Sequence, residues 1–155
     1  MTAASVRTPP LEPVRGLQAA LIAGGVPCVV GGSALVAARG LVDHVNDWDL
    51  VVDAGRAVDT TRIIGELGLT VRETRDAHPP FETELLIAVD AGDHDIDVMV
   101  GFAVRGPDGE RVDVSTRAEP GAFGGWQGLR LGRADEWARA YTAMGREARA
   151  ALLTE

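Results

Sequence analysis

Two aspartates separated by one tryptophan, Asp47-Trp48-Asp49, stand shortly after the turn Gly31-Gly32-Ser33. The stretch Asn46 to Asp53 alternates in the way a strand does. Trp48, Leu50 and Val52 fall on one side, and Asp47, Asp49, Val51 and Asp53 on the other. Residues i and i+2 of a strand share a face, so the two carboxylates project together, about 7 Å apart along the backbone. On a solvent face they would be hydrated charges. In a cleft their repulsion has to be offset, and a divalent cation does this best. Hard oxygen donors suit Mg²⁺ or Mn²⁺, and Mg²⁺ takes one or two carboxylates and leaves its other positions to water and substrate phosphates.

A second alternating run, HDIDVMV, sends Ile96, Val98 and Val100 to a core and Asp95, Asp97 and Met99 to the other face. If its strand lies near the Asp47–Asp49 strand, Asp97 becomes the third acid; Asp95, nearer the turn, is read as solvated. Gly31 and Gly32, without β-carbons, let a phosphate approach the backbone amides. Ser33 adds a hydroxyl and reads as the N-cap of a following helix, SALVAARG, closed by Gly40. Together these residues form a layout for in-line attack on a nucleoside triphosphate. Metal neutralises the phosphates, and Asp97 takes the acceptor's proton or holds a second cation.

The elements that must position these groups follow from periodicity. Residues 11–25 place Leu17, Ala20, Leu21 and Gly24 at helical spacing, and PCVVGG is a short buried strand. Residues 56–67 read as an amphipathic helix and TVRETR as a strand. AHPPFET is a loop by its prolines, and LLIAVDAG and HDIDVMVGF form two strands joined tightly at Gly92-Asp93. RGPDGERVDV is read as a hairpin about Pro-Asp-Gly. The tail begins as a short strand and continues as helices broken near Gly145. The order implies an α+β (mixed α/β) domain, one central mixed sheet flanked by helices. At 155 residues it is one domain over 11–155, after a flexible lead over 1–10.

Composition narrows the function classes. The net charge is −8, and all 15 basic residues are arginine. Long nucleic acid is therefore a disfavoured partner. No run is apolar enough to cross a bilayer, and the N-terminus lacks the apolar heart of a signal peptide, so a cytoplasmic location is expected. The arginine, alanine and glycine usage is that of a GC-rich bacterial genome. The single cysteine, Cys28, lies in an apolar run and reads as a buried inert thiol.

The stretch GGSALVAARGLVDHVNDWDLVVD resembles the signature of the DNA polymerase β-like nucleotidyltransferase superfamily: a Gly-Gly/Ser turn, a short helix, Asp-x-Asp on a strand, and a third acid on a later strand. The similarity covers residues 27–101 and, more loosely, the tail ADEWARAYTAMGREARAAL, with its flavour closest to small bacterial members. It implies a nucleotidyltransferase-like sheet and a metal-dependent transfer of a nucleoside monophosphate from an NTP to an acceptor hydroxyl. Gly31, Gly32 and Ser33 would form the phosphate turn, and Asp47, Asp49 and Asp97 the catalytic and metal-binding acids. The acceptor would be a small molecule or a protein. Many members carry an arginine and then Ser/Thr before the acid pair; Asp43-His44-Val45-Asn46 stand there instead. Arg39, Arg56 and Arg62 are the candidates for the missing cation, and Arg39 is the nearest in sequence. A single domain of this kind is expected to need a second domain or a second copy of the chain to close over the nucleotide. The alternative is a non-catalytic binding or regulatory module of the same fold.

Other eye-catching residues have plainer readings. His44 is a surface turn histidine, His78 and His94 sit in loops without a role, and DAGDHDID lacks the glycine and glutamate spacing of a calcium loop. Trp48 is read as core. Trp126 is expected to be more exposed, and packing is its simplest use.

Overall fold

A computed structural model describes residues 6–154 of the chain. The first helix, α1 (Glu12–Ala23), starts with Pro13 in its first turn and buries Val14, Leu17, Gln18 and Leu21. Strand β1 (Cys28–Gly31) follows, then the short helix α2 (Ser33–Ala38) and β2 (Trp48–Val52). After α3 (Ala57–Glu66) come β3 (Thr70–Arg75), β4 (Leu85–Asp90) and β5 (Asp95–Val100). These strands form one mixed sheet in the order β1-β2-β5-β4-β3. The β2–β5 pair is parallel and the other three are antiparallel. A hairpin of β6 (Ala103–Arg105) and β7 (Arg111–Asp113) turns at Pro107-Asp108-Gly109. A 3₁₀ turn and a two-residue hairpin, β8 (Gly125–Trp126) with β9 (Leu129–Arg130), lead into α4 (Ala134–Ala143) and α5 (Glu147–Thr154). Gly145, at φ +80°, makes the corner between those helices.

The alternation seen in the sequence decides the two faces of the sheet. Trp48, Leu50 and Val52 share one face with Ile96, Val98 and Val100, all fully buried. Helix α1 lies on that side, where the Cys28 thiol reaches the Gln18 carbonyl. Burial pushes the Cys28 thiol up to about 12. A thiol held neutral and out of solvent is a poor nucleophile. The native protein should therefore resist an aromatic disulfide reagent at pH 8 and react with one equivalent once unfolded, which a colorimetric titration reads directly. The other face carries Asp49 and Val51, Asp97 and Met99, Leu86 and Ala88. It is only partly covered, by α4 and the loops around Phe81 and Phe102.

Several local expectations change in the folded chain. Ser33 is the first residue of α2 and not its cap. Gly32 takes the cap position at φ +63°, a left-handed value that a serine there would resist. Asp47 lies just before β2, in the bend that leads into it. Asp95 is half-buried, not freely solvated: Arg72 grips its carboxylate and its amide donates to Asp47. His94 is buried, with Nδ1 2.8 Å from Asp93 Oδ1. Of the N-terminal lead, residues 1–5 lie outside the described residues; Arg7 exchanges backbone hydrogen bonds with Asp43 and Val45. Among the described residues, no helix is long and apolar enough to cross a membrane.

Candidate active site

The parallel pairing of β2 with β5 sets Asp49 opposite Asp97. One strand spacing, about 5 Å, separates their backbones. Asp47 joins from the bend before β2, with its Oδ1 accepting the Asp95 amide at 3.0 Å. The structure thus brings Asp47, Asp49 and Asp97 to one corner of the open face, with Asp95 beside them. The antiparallel pairing of β1 with β2 sets Gly31 opposite Asp49, so the glycine turn flanks the same corner from the other side.

The two glycines do different things. A β-carbon on Gly32 would overlap Asp49 Oδ2, so the absence of a side chain there is what lets the carboxylate lie against the turn. A β-carbon on Gly31 would instead overlap the indole of Trp137. Gly31 is the seat of Trp137, which packs at a tilt against Phe102 at 5.1 Å and Tyr141 at 5.7 Å.

The electrostatics of the corner are those of crowded acids. Burial, and then the charges of Asp97 and Asp47, push the Asp49 carboxyl up to about 7, and Arg146 is the one cation that works against this. Burial, then Asp47 and Asp95, also raise Asp97, against Arg75 and Arg72. Burial and the nearby Asp49 push Tyr141 up to about 12. Among the described residues, no three His, Cys, Asp or Glu side chains close on a shared point as a cage would. The donor set still fits a Mg²⁺-type cation in kind: adjacent hard carboxylate oxygens carry unrelieved repulsion, and such an ion draws its remaining ligands from water and phosphate.

The arginines sort themselves in a way the sequence did not reveal. Arg39 pairs with Glu119 at 3.4 Å and lies over the Phe123 ring, 4.4 Å from its centroid. Arg56 is bound to Asp59, and Arg62 to Asp59 and Glu66. Arg146, at the α4–α5 corner, holds its guanidinium 5.2 Å from the centroid of Tyr141. Its amide donates to the Tyr141 carbonyl at 2.8 Å. Arg146 is exposed, and its charge reaches Asp49 as the smallest of the influences on that carboxyl; nothing in the residue spacing marked it out.

A cavity of about 400 Å³ opens next to Asp49 and Asp97, with Phe81, Leu86, Met99 and Phe102 among its walls. A larger cavity, about 630 Å³, lies between the β6–β7 hairpin and α4, away from the acids. Of the two, the smaller is the one lined by carboxylates that face one another, Asp49 and Asp97.

Compared with solved structures, the chain superposes on a "putative nucleotidyltransferase" from Thermotoga maritima with a TM-score of 0.64 at 21% identity. That match covers 93% of this chain and 89% of the other. The chain shares the nucleotidyltransferase fold of that structure. The antibiotic-resistance factor ANT(2″)-Ia matches in its solution structure, with a TM-score of 0.63 at 18% identity over 92% of this chain and 81% of that one. Its crystal structure in complex with adenylyl-2″-tobramycin matches with a TM-score of 0.58 at 15% identity, covering 94% and 89%. No family model and no curated relative matches the chain. In this nucleotidyltransferase fold, Asp47, Asp49 and Asp97 share one end of the central strands beside the Gly32 turn.

Proposed function

We propose that the protein is a metal-dependent nucleotidyltransferase that moves a nucleoside monophosphate from an NTP to an acceptor hydroxyl. The observation that carries this reading is the facing pair Asp49 and Asp97, of which Asp49 lies against a glycine, Gly32, whose missing β-carbon makes room for its carboxylate. The triphosphate lies along the amides of Gly32 and Ser33, with Gly31 acting through the Trp137 packing that holds the turn. Asp47 and Asp49, with Asp97, would hold Mg²⁺ or Mn²⁺. When bound, such an ion neutralises the polyphosphate and polarises the phosphorus under attack. Asp97 accepts the proton of the acceptor hydroxyl. A structural neighbour seen in complex with adenylyl-2″-tobramycin lends support to transfer onto a small hydroxylated compound.

Arg146 takes the part the sequence had offered to Arg39. It lies over the Tyr141 ring and within electrostatic reach of Asp49, whereas Arg39 is paired with Glu119. Arg146→Ala should weaken Mg·NTP binding by roughly 10-fold or more, the scale of one charge-assisted contact. Arg39→Ala should leave that affinity unchanged and lower the melting temperature slightly. Calorimetric titration of both variants checks the pair.

The reading is tested by calorimetry of the wild type with each Mg·NTP. Metal-dependent heat with at least one nucleotide is expected. Silence with all of them would favour a second reading, a non-catalytic binding or regulatory module of the same fold. One observation leans that way: Arg39, Arg56 and Arg62 are all engaged with carboxylates.

A further inference from the structure

The open face of the sheet is asymmetric about the acid pair. On the β1 side stands the glycine turn. On the β4 side, the residues in register with Asp97 and Met99 are Ala88 and Leu86, both apolar. They floor the 400 Å³ cavity, and Phe81 and Phe102 wall it, stacked with centroids 6.4 Å apart. Polar groups appear at its rim, Arg75, which is tied to Glu73 at 3.3 Å, with Asp76 and His78, and deeper in stands Thr83, whose hydroxyl is engaged with the Ala103 backbone. In-line displacement needs the attacking oxygen opposite the leaving pyrophosphate. With the triphosphate on the Gly32 side, the attacking oxygen comes from the cavity side.

We propose that this cavity receives the acceptor, and that the acceptor is an uncharged, ring-bearing alcohol or phenol rather than a polycationic sugar. The proposal rests on the transferase reading above and names its substrate class. A space of this size matches a ligand of one or two rings. Phe81, Phe102 and Met99 offer flat and polarizable contacts to such a ring. An ammonium group among Leu86, Ala88, Met99 and the two phenylalanines would lose its water, with only Asp76 at the rim to pair with once Asp49 and Asp97 hold the cation and the proton. Such burial of unpaired charge is strongly unfavourable. In the reaction the ring-borne hydroxyl oxygen bonds to the α-phosphorus and its proton passes to Asp97. The bond from that phosphorus to the bridging oxygen breaks, and its electron pair leaves with pyrophosphate.

The chain has three methionines, and Met99 and Met144 report different places. Met99 lines the cavity, whereas Met144 lies in the groove on the other side of Phe81. Methyl-labelled methionine in the full-length protein therefore gives an NMR readout independent of turnover. The probes are tyrosol, 2-phenylethanol and a short tyrosyl peptide, set against kanamycin and glucose. At least one ring-bearing probe should shift the Met99 signal saturably, with a Kd near or below about 1 mM, and leave Met144 in place. A response to tyrosol or phenylethanol assigns a small-molecule acceptor, and a response to the peptide alone assigns a protein side chain. Ala88→Trp, which fills the floor, should raise that Kd by at least about tenfold; Phe81→Ser, at the partly exposed wall, serves the same purpose if the first variant misfolds. A Met99 shift with kanamycin, or none with any ring-bearing probe up to about 10 mM, overturns the assignment. Calorimetry with each Mg·NTP on the same sample separates the two failures. Nucleotide binding without a ring-bearing ligand sinks only the substrate class, and absence of nucleotide binding sinks the transferase reading itself.

Discussion

Asp49→Asn should abolish metal-dependent nucleotide binding and, at the same time, make the metal-free protein more stable at pH 8. The two effects share one cause. Burial, then the neighbouring charges of Asp97 and Asp47, drive the Asp49 carboxyl up to about 7, whereas the unfolded chain ionises it near 4. Between those pH values the folded state keeps a proton that the unfolded state has released. The contribution of Asp49 to stability is therefore greatest below about pH 4, falls as pH rises from there through 7, and is then lost; the cost is on the order of 4 kcal/mol. Asparagine keeps the shape and cannot ionise. Its melting temperature should match the wild type at pH 4 and exceed it by several degrees at pH 8, since 1 kcal/mol moves a domain of this size by about 2–4 °C. Transfer activity should fall by about 100-fold or more, as when one preorganised electrostatic partner is removed from a reacting centre. Melting curves at the two pH values and calorimetry with Mg·ATP test both halves. An asparagine variant that still binds Mg·ATP like the wild type would remove Asp49 from the site.

The second large effect separates two adjacent glycines. In Gly31→Ala the new β-carbon enters the space of the Trp137 ring, and Trp137 is only 2% exposed. A packed indole between Phe102 and Tyr141 has little room to yield, so overpacking should lower stability by about 1–3 kcal/mol. In Gly32→Ala the β-carbon meets the end of the Asp49 side chain, which can rotate. The backbone of Gly32, φ +63° with ψ −140°, is open essentially to glycine and adds a cost of about 1–3 kcal/mol. The stability loss should be similar in the two variants, but in this one the carboxylate is also driven away from the turn. Mg·NTP affinity should therefore drop more than tenfold in Gly32→Ala while the protein stays folded, a loss of about 1.4 kcal/mol or more. Gly31→Ala should lose melting temperature and bind in proportion to its folded fraction. Unaltered nucleotide affinity in a folded Gly32→Ala would mean the phosphates do not lie on this turn.

Much of the fold was legible because strand and helix periodicities are local. The alternation around Trp48 and Ile96, the Pro-Asp-Gly hairpin and the break at Gly145 all appear where residue spacing places them. The Ser33 cap was misplaced because serine is the commoner cap, and the left-handed backbone that hands the position to Gly32 is imposed by the close approach of Asp49. The solvated reading of Asp95 failed for a similar reason: its partners Arg72 and Asp47 are remote in sequence.

The sequence by itself determined which acids share a strand face, which glycines leave the backbone bare, and that the sheet would be mixed and flanked by helices. All of these follow from side-chain direction and backbone freedom over a few residues. Only the tertiary structure decided that β2 and β5 run parallel in a register that sets Asp49 against Asp97, and that Gly31 seats Trp137 while Gly32 seats Asp49. It alone decided that Arg39 is paired with Glu119 and that Arg146 lies over Tyr141, within electrostatic reach of Asp49. Register and ion pairing depend on which distant segments meet, and that is settled by packing the whole core rather than by spacing along the chain.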